Sequence, residues 1–269
     1  MRKFALLAVV AVSACHRQVE VASPPAPAPA PARPTVAKGI TSVDQLVAAM
    51  LDRYAGAWYR SITFTQKSTY LRADGTPSRV ETWYEAIAIP GRLRIDLGDP
   101  ARGNGVVYRG DSVYTLQSGS VVDRRIGRNP LLILGFDVYA QPAMRTLEQL
   151  RAERINIDLL HTDTLYGRRM YVVGAGPNDS TSNQFWVDAE RLLFARLIQT
   201  DPERKNTRDI RFERYRPHGK GWVAEEVRIL SGGKTVFHEE YSNVRVDVPL
   251  DDNLFVPEKW SAATHWYKP

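Results

Sequence analysis

The side chains able to do chemistry in this chain are few and scattered. Five histidines (His16, His161, His218, His238, His265) are present, and no two have the i, i+4 spacing that places a pair of metal ligands on one helix face. His161 and Asp163 could share one face of a strand, but two ligands fall short of a site, so no metal and no cofactor is expected. The adjacent acids Glu225-Glu226 and Glu239-Glu240 lie in strand-like segments, where neighbouring side chains point to opposite faces and cannot act as a catalytic pair. Gly233-Lys234-Thr235 has the ending of a phosphate-binding loop, yet Arg228 stands where its first glycine would be, so the segment reads as a hairpin turn. There is no Gly-x-Ser-x-Gly nucleophile elbow, and Asn178-Asp179-Ser180 reads as a turn. The residues predict a protein that is not an enzyme.

The chain has a single cysteine, Cys15, which excludes an internal disulfide and a cysteine-based metal cluster. Arg2 and Lys3 precede an apolar run from Phe4 to Val12, and the small residues Ser13 and Ala14 follow, the order of an export signal. The run is too short to span a bilayer, which takes roughly 20 apolar residues. Val12-Ser13-Ala14-Cys15 resembles the bacterial lipobox, which implies removal of residues 1–14 as a signal peptide and acylation of Cys15. Several acyl chains at one residue suffice for stable membrane anchoring. His16 stands where an Asp would resemble an inner-membrane retention signal, so the outer membrane, facing the periplasm, is the expected location. Residues 15–38 form the lipidated N-terminus and a tether rich in Pro and Ala, of the composition that adopts extended polyproline II. At about 3.1 Å per residue its Pro/Ala stretch could hold the domain roughly 40 Å from the anchor.

The remainder, 39–269, reads as one domain large enough to bury a sizeable core. Hydrophobic residues make up 43% and charged residues 25%, and the formal charge of +6 is spread among acids without a basic face, so no nucleic-acid partner is implied. Ser42 with Gln45 has the form of a capping box, and Val43, Leu46, Val47, Met50, Leu51 and Tyr54 recur at helical spacing. Alternating segments then predict strands at 58–71, 80–89, 92–97, 105–109 and 112–117, joined by short turns into an antiparallel meander. Pro130 and Pro142 open two further short helices, and strands resume over 155–161, 169–173, 183–188, 192–199, 209–215, 222–230, 235–241 and 244–248, with Ser231-Gly232-Gly233-Lys234 as a hairpin turn. The expected fold is mainly β (α+β): a curved antiparallel half-barrel of about eleven strands, since so large a sheet curls rather than staying flat, with a few helices covering the concave face.

Ten aromatics, Trp58, Phe64, Tyr70, Trp83, Tyr84, Tyr108, Tyr114, Phe185, Trp186 and Phe194, fall on predicted strands. Each alone reads as core; collectively they could line a hollow for acyl chains. The pattern resembles the LolA/LolB-like lipoprotein-carrier superfamily over most of residues 39–260. The resemblance is carried by the opening helix, Phe64-Thr65-Gln66-Lys67, Pro90-Gly91-Arg92-Leu93-Arg94, Arg109-Gly110-Asp111-Ser112-Val113-Tyr114, Phe185-Trp186-Val187-Asp188 and Leu254-Phe255-Val256-Pro257, in that order. It implies a half-open barrel lidded by helices whose apolar cavity takes lipid or an acylated lipoprotein, with Trp58, Ile62, Phe64, Tyr70, Leu93, Ile95, Leu97 and Phe194 as candidate cavity residues. The family often has an arginine before the proline of the strand junction, where it bonds the lid; Ile89 stands there, so that gating does not carry over. A membrane-tethered carrier or receptor is one reading, and an envelope protein-interaction module with a filled hollow is the other. Changing Cys15 to Ala is expected to release the protein into the soluble envelope fraction; retention of the variant on membranes, seen by fractionation and immunoblotting, would refute the lipobox reading.

Overall fold

The computed structural model describes residues 39–201, 203 and 206–267; Cys15, the signal segment and the Pro/Ala tether lie outside them. The domain opens with α1 (Val43–Arg53). Ser42 caps it by accepting from the Gln45 N–H at 3.3 Å, while Gln45 Oε1 takes the Thr41 N–H at 2.8 Å, so the return arm of the box closes on the residue before the cap. Val43, Leu46, Val47 and Met50 form its buried face.

Thirteen strands follow: β1 (Ser61–Leu71), β2 (Pro77–Ala88), β3 (Arg92–Leu97), β4 (Gly105–Arg109), β5 (Ser112–Gln117), β6 (Ser120–Ile126), β7 (Leu160–Leu165), β8 (Arg168–Val173), β9 (Gln184–Asp188), β10 (Phe194–Asp201), β11 (Asn206–His218), β12 (Gly221–Ser231) and β13 (Lys234–Val246). Between β6 and β7 lie α2 (Pro130–Gly135) and α3 (Ala143–Ala152). All neighbours pair antiparallel in the order β6-β5-β4-β3-β2-β1-β13-β12-β11-β10-β9-β8-β7. The sheet stays open, with β6 and β7 as its edges. The expected half-barrel is therefore the observed fold.

Registers show which face each residue takes. Tyr70, Phe237, Ile229, Ile210, Leu197, Phe185, Val173 and Leu160 are successive partners across eight strands, and Ile62, Ile87, Leu93, Tyr108 and Val113 form a second row across five. Both rows are apolar and lie on the concave face, where α1, α2 and α3 join the main core. The lid follows from connectivity: the chain leaving one edge at β6 must reach the other at β7, and its helices bury their apolar sides on the way.

Several expectations are corrected. The strand expected at 155–161 begins only at Leu160, and the segments 235–241 and 244–248 are one strand, β13. No alternation anticipates β6, which lies wholly exposed as an edge, and no local pattern anticipates the two 3-10 turns Asp252–Phe255 and Pro257–Lys259. Those turns carry Leu254, Phe255 and Trp260 onto the convex face, against Ala86, Ala88, Val107 and Leu116. Arg94 and Asp96, on the polar side of the β3 alternation, are consequently buried. The Arg94 guanidinium makes two 2.8 Å bonds to Asp96 and lies 3.5 Å from the Trp260 ring centre, and His265 Nε2 lies 3.0 Å from Asp96. Gly105 is required here, since a side chain would run into the Ile95 carbonyl and the Trp260 ring. The hairpin at Gly232-Gly233 has φ of 56° and 77°, the left-handed pair expected of a tight two-residue turn.

Removing one partner of a buried ion pair strands the other. Asp96→Ala is expected to destabilise the domain by about 3–5 kcal/mol, measured by denaturant unfolding; a loss under about 1 kcal/mol, as for an exposed pair, would contradict this account of the convex face.

Candidate functional site

The concave face has a lidded part and an open part. Under the lid, Trp58 lies in an aromatic cluster, its ring centre 3.9 Å from Tyr139, 4.9 Å from Tyr59 and 5.1 Å from Tyr54. Tyrosine hydroxyls fasten lid to sheet. Tyr54 donates to the Arg191 carbonyl at 2.6 Å, Tyr59 to that of Trp222 at 3.2 Å, and the Tyr139 hydroxyl accepts from the Phe194 N–H at 2.8 Å. Both oxygens of Asp137 accept from the Gly91 N–H at 3.1 Å, tying the lid to the β2–β3 junction. Ile89, where the resembling family often has its arginine, is buried in the same core, so the clasp at this junction is made by Asp137 and a backbone donor.

Of the candidate cavity residues, Trp58, Ile62, Phe64, Leu93 and Phe194 meet in the one buried cluster under the lid. Trp58 precedes β1 rather than lying on it. Ile95, Leu97 and Tyr70 are half-buried, farther along the strands. Leu97 pairs with Trp83, and the Tyr70 ring lies 4.7 Å from Phe237. Beyond the lid the apolar wall thus continues as Ile95, Leu97, Trp83, Phe237 and Tyr70, all partly open. The ten aromatics do not form one wall: Tyr84, Tyr114 and Trp186 register with the convex face, where Tyr84 packs 4.3 Å from Tyr267.

Phe194 also borders a cavity of about 350 Å³ with Leu165, Tyr166, Met170, Leu193 and Phe212, at the irregularity between β9 and β10. Cavities of about 410 and 500 Å³ lie on the convex side, bordered by the C-terminal segment, with His265 common to both. The first is at the small end of the range typical of ligand pockets.

Polar groups in the hollow were missed by reading each strand separately. Glu239 faces inward while Glu240 faces outward to Lys67 at 2.8 Å, the opposite-face arrangement expected of neighbours. Glu239, however, shares the hollow with Glu85 of β2, the two lying on either side of β1 opposite Ser68 and Phe64. Burial pushes the Glu85 carboxyl well above the usual range, and the nearby Glu239 pushes it further. Burial raises Glu239 to about 7, offset by the hydrogen bond that Tyr241 donates to it at 2.8 Å. Burial likewise raises Asp137 to about 7, offset by the Gly91 N–H. Only the pairing register of β1, β2 and β13 brings Glu85 and Glu239 to one face, and no local pattern encodes it.

No family model matches the chain, and no curated protein matches it in sequence. Among solved structures, a DUF1329 family protein from Desulfovibrio piger is similar with a TM-score of 0.54 and 17% identity, covering 79% of this chain and 95% of that one. A LolA superfamily protein from Nitrosomonas europaea is similar with a TM-score of 0.50 and 12% identity, covering 78% and 96%. The chain has a LolA-like fold. Among the described residues no helix is long and apolar enough to cross a membrane.

Glu85, Glu239 and Asp137 have folded-state values above those of the unfolded chain. Their neutral forms favour the fold fully below the ordinary carboxylate range, and the contribution of Glu239 and Asp137 is lost as pH rises through about 7. Asp188 and Asp209, held low by arginine partners, oppose this only near and below their usual carboxylate range. Thermal stability is therefore expected to fall between about pH 5 and pH 8, and the triple variant E85Q/E239Q/D137N to flatten that slope in calorimetry; an unchanged slope would contradict the assignment.

Proposed function

We propose that this protein is a membrane-tethered envelope lipoprotein that binds lipid or an acylated lipoprotein on the apolar concave face of its half-barrel, as a carrier or receptor, without a covalent step. The observation that carries this reading is the continuation of the apolar wall past the lid, where Ile95, Leu97, Trp83, Phe237 and Tyr70 remain half-open. Burying acyl methylenes against that wall supplies the binding free energy, about 0.8 kcal/mol for each. Ile62, Phe64 and Leu93, already buried under α1 to α3, become available only as the lid moves. The acyl groups of Cys15 hold the protein at the outer membrane, facing the periplasm, and the Pro/Ala tether gives the domain its reach. The LolA-like fold supports the reading at the level of architecture.

A second reading is favoured by the close packing under the lid. With Trp58, Ile62, Phe64, Leu93 and Phe194 all buried against the protein's own side chains, the lidded part can serve as an ordinary core, and the domain would then be an envelope protein-interaction module.

Organic extraction of detergent-free protein, analysed by mass spectrometry, separates the two. The carrier reading expects stoichiometric lipid or lipoprotein in the extract, or saturable binding of a fluorescent fatty-acyl probe. An empty extract together with no probe binding would leave the interaction module. Leu97→Asp, at the open wall, is expected to weaken probe binding by about tenfold, as loss of one buried leucine implies.

A further inference from the structure

Acids buried elsewhere among the described residues have donors within the protein: Asp137 takes the Gly91 N–H, and others have cationic partners. Asp96 has Arg94, Asp188 has Arg168 and Arg191, and Asp209 has Arg196 and Arg211. Glu85 departs from that pattern, and Glu239 has one neutral donor in place of a cation. Glu85 projects from β2 into the hollow between Phe64 of β1 and Ile95 of β3. It is 7% exposed, and among the described residues no donor reaches its carboxyl. Glu239 of β13 is 9% exposed, and only the Tyr241 hydroxyl bonds to it. Between them on β1 stand Gln66, fully buried, whose amide donates to Ser68 at 2.8 Å, and Ser68 itself. Around them are Tyr108 of β4 and Glu81 of β2, the latter held by the Trp83 indole at 3.2 Å and by Arg79 at 3.4 Å. Arg125 of β6 bears on Tyr108, but among the described residues no cation pairs with Glu85 or Glu239. A carboxyl set in an apolar wall with no donor beside it resists ionisation, and a cation brought from outside would relieve this.

We propose that Glu85 and Glu239 are the polar end of a binding site for an amphiphile headed by a primary ammonium group, with the ammonium between the two carboxylates and the apolar tail on Trp83, Leu97 and Phe237. This deepens the lipid-binding reading above and rests on it. A primary ammonium carries three N–H donors and no acceptor, which suits a pocket of free carboxylate oxygens. A hard metal ion fits poorly: calcium takes six to eight oxygens, and among the described residues no group of three or more metal ligands occurs. An anionic head is disfavoured by three acids facing one hollow. Phe64 and Tyr241, stacked with ring centres 4.2 Å apart, add aromatic faces beside the cation. Burial biases both acids towards their neutral forms when the site is empty, so an ammonium that enters is expected to expel protons as the carboxyls ionise.

The test compares three probes with one tail, octylamine, octanol and octanoate, by isothermal titration calorimetry on the whole lipoprotein domain in buffers of different ionisation enthalpy. Octylamine is expected to bind at least about tenfold more tightly than the other two, with release of about one proton or more. E85Q and E239Q are each expected to bring its affinity down towards that of octanol and to reduce the proton release. Equal binding of all three probes would overturn the ammonium site while leaving the apolar hollow standing. Binding of none would overturn both readings. Should a variant fail to fold, the amine-to-alcohol ratio and the proton release of the unaltered protein decide the matter.

Discussion

The pairing of β1 with β13 joins what would otherwise be two separate meanders, β1 to β6 and β7 to β13, into one sheet. It links residues far apart in sequence, such as Ile62 with Val246 and Tyr70 with Phe237, and the loop-closure entropy of such a contact is recovered only when the faces on either side are buried. Because side chains alternate along a strand, this one pairing also decides which half of each meander looks into the hollow. A slip of one residue would turn Ile62, Phe64 and Tyr70 outward and bring Thr63, Thr65 and Lys67 inward. The apolar row running from Tyr70 to Leu160 exists only in the register observed.

With the two meanders joined in this way, the first and last strands lie at the centre and the middle of the chain at the edges. The segment between β6 and β7 therefore has to travel from edge to edge, and the concave face is where its apolar residues find cover. Leu132, Ile133 and Leu134 of α2 and Leu147 and Leu150 of α3 are buried there beside α1. The fasteners at this interface are single hydrogen bonds, from tyrosine hydroxyls and from Asp137 to one backbone N–H, set in a large apolar contact. Hydrogen bonds of this kind fix where a lid sits while contributing little net free energy each; the apolar area supplies most of the attraction.

Much of this was legible in the sequence, for physical reasons that also explain the failures. The capping box at Ser42, the prolines opening α2 and α3, and the Gly232-Gly233 hairpin are local signals, read from a few adjacent residues, and the structure contains each. Alternation located β1 to β5 and β8 to β13 because one face of each is buried. It failed at β6, exposed on both faces, where no burial imposes a period on Ser120 to Ile126. It also failed for Arg94 and Asp96, whose polarity suggests solvent although the C-terminal turns cover them with Trp260. Of the eight candidate cavity residues, the five nearest the lid prove to be one packed cluster, and Ile95, Leu97 and Tyr70 lie on the wall that remains open. Single strands could not show this division, which depends on how far three short helices reach across the sheet.

Glu85 and Glu239 were illegible for a related reason. On its own strand each is one acid among alternating residues, and Glu239 has a neighbour, Glu240, that goes to the surface and binds Lys67. Their convergence is a property of the sheet, three strands wide. Its cost falls on stability, since both groups resist ionisation in the fold and ionise freely in the unfolded chain. A leucine or glutamine at either position would remove that cost. An apolar hollow that served only to be filled, or only to hold hydrocarbon, has no use for two such carboxyls; a hollow that distinguishes the head of its ligand does, because a buried unpaired acid rewards the one partner that supplies both charge and N–H donors and rejects those that supply neither.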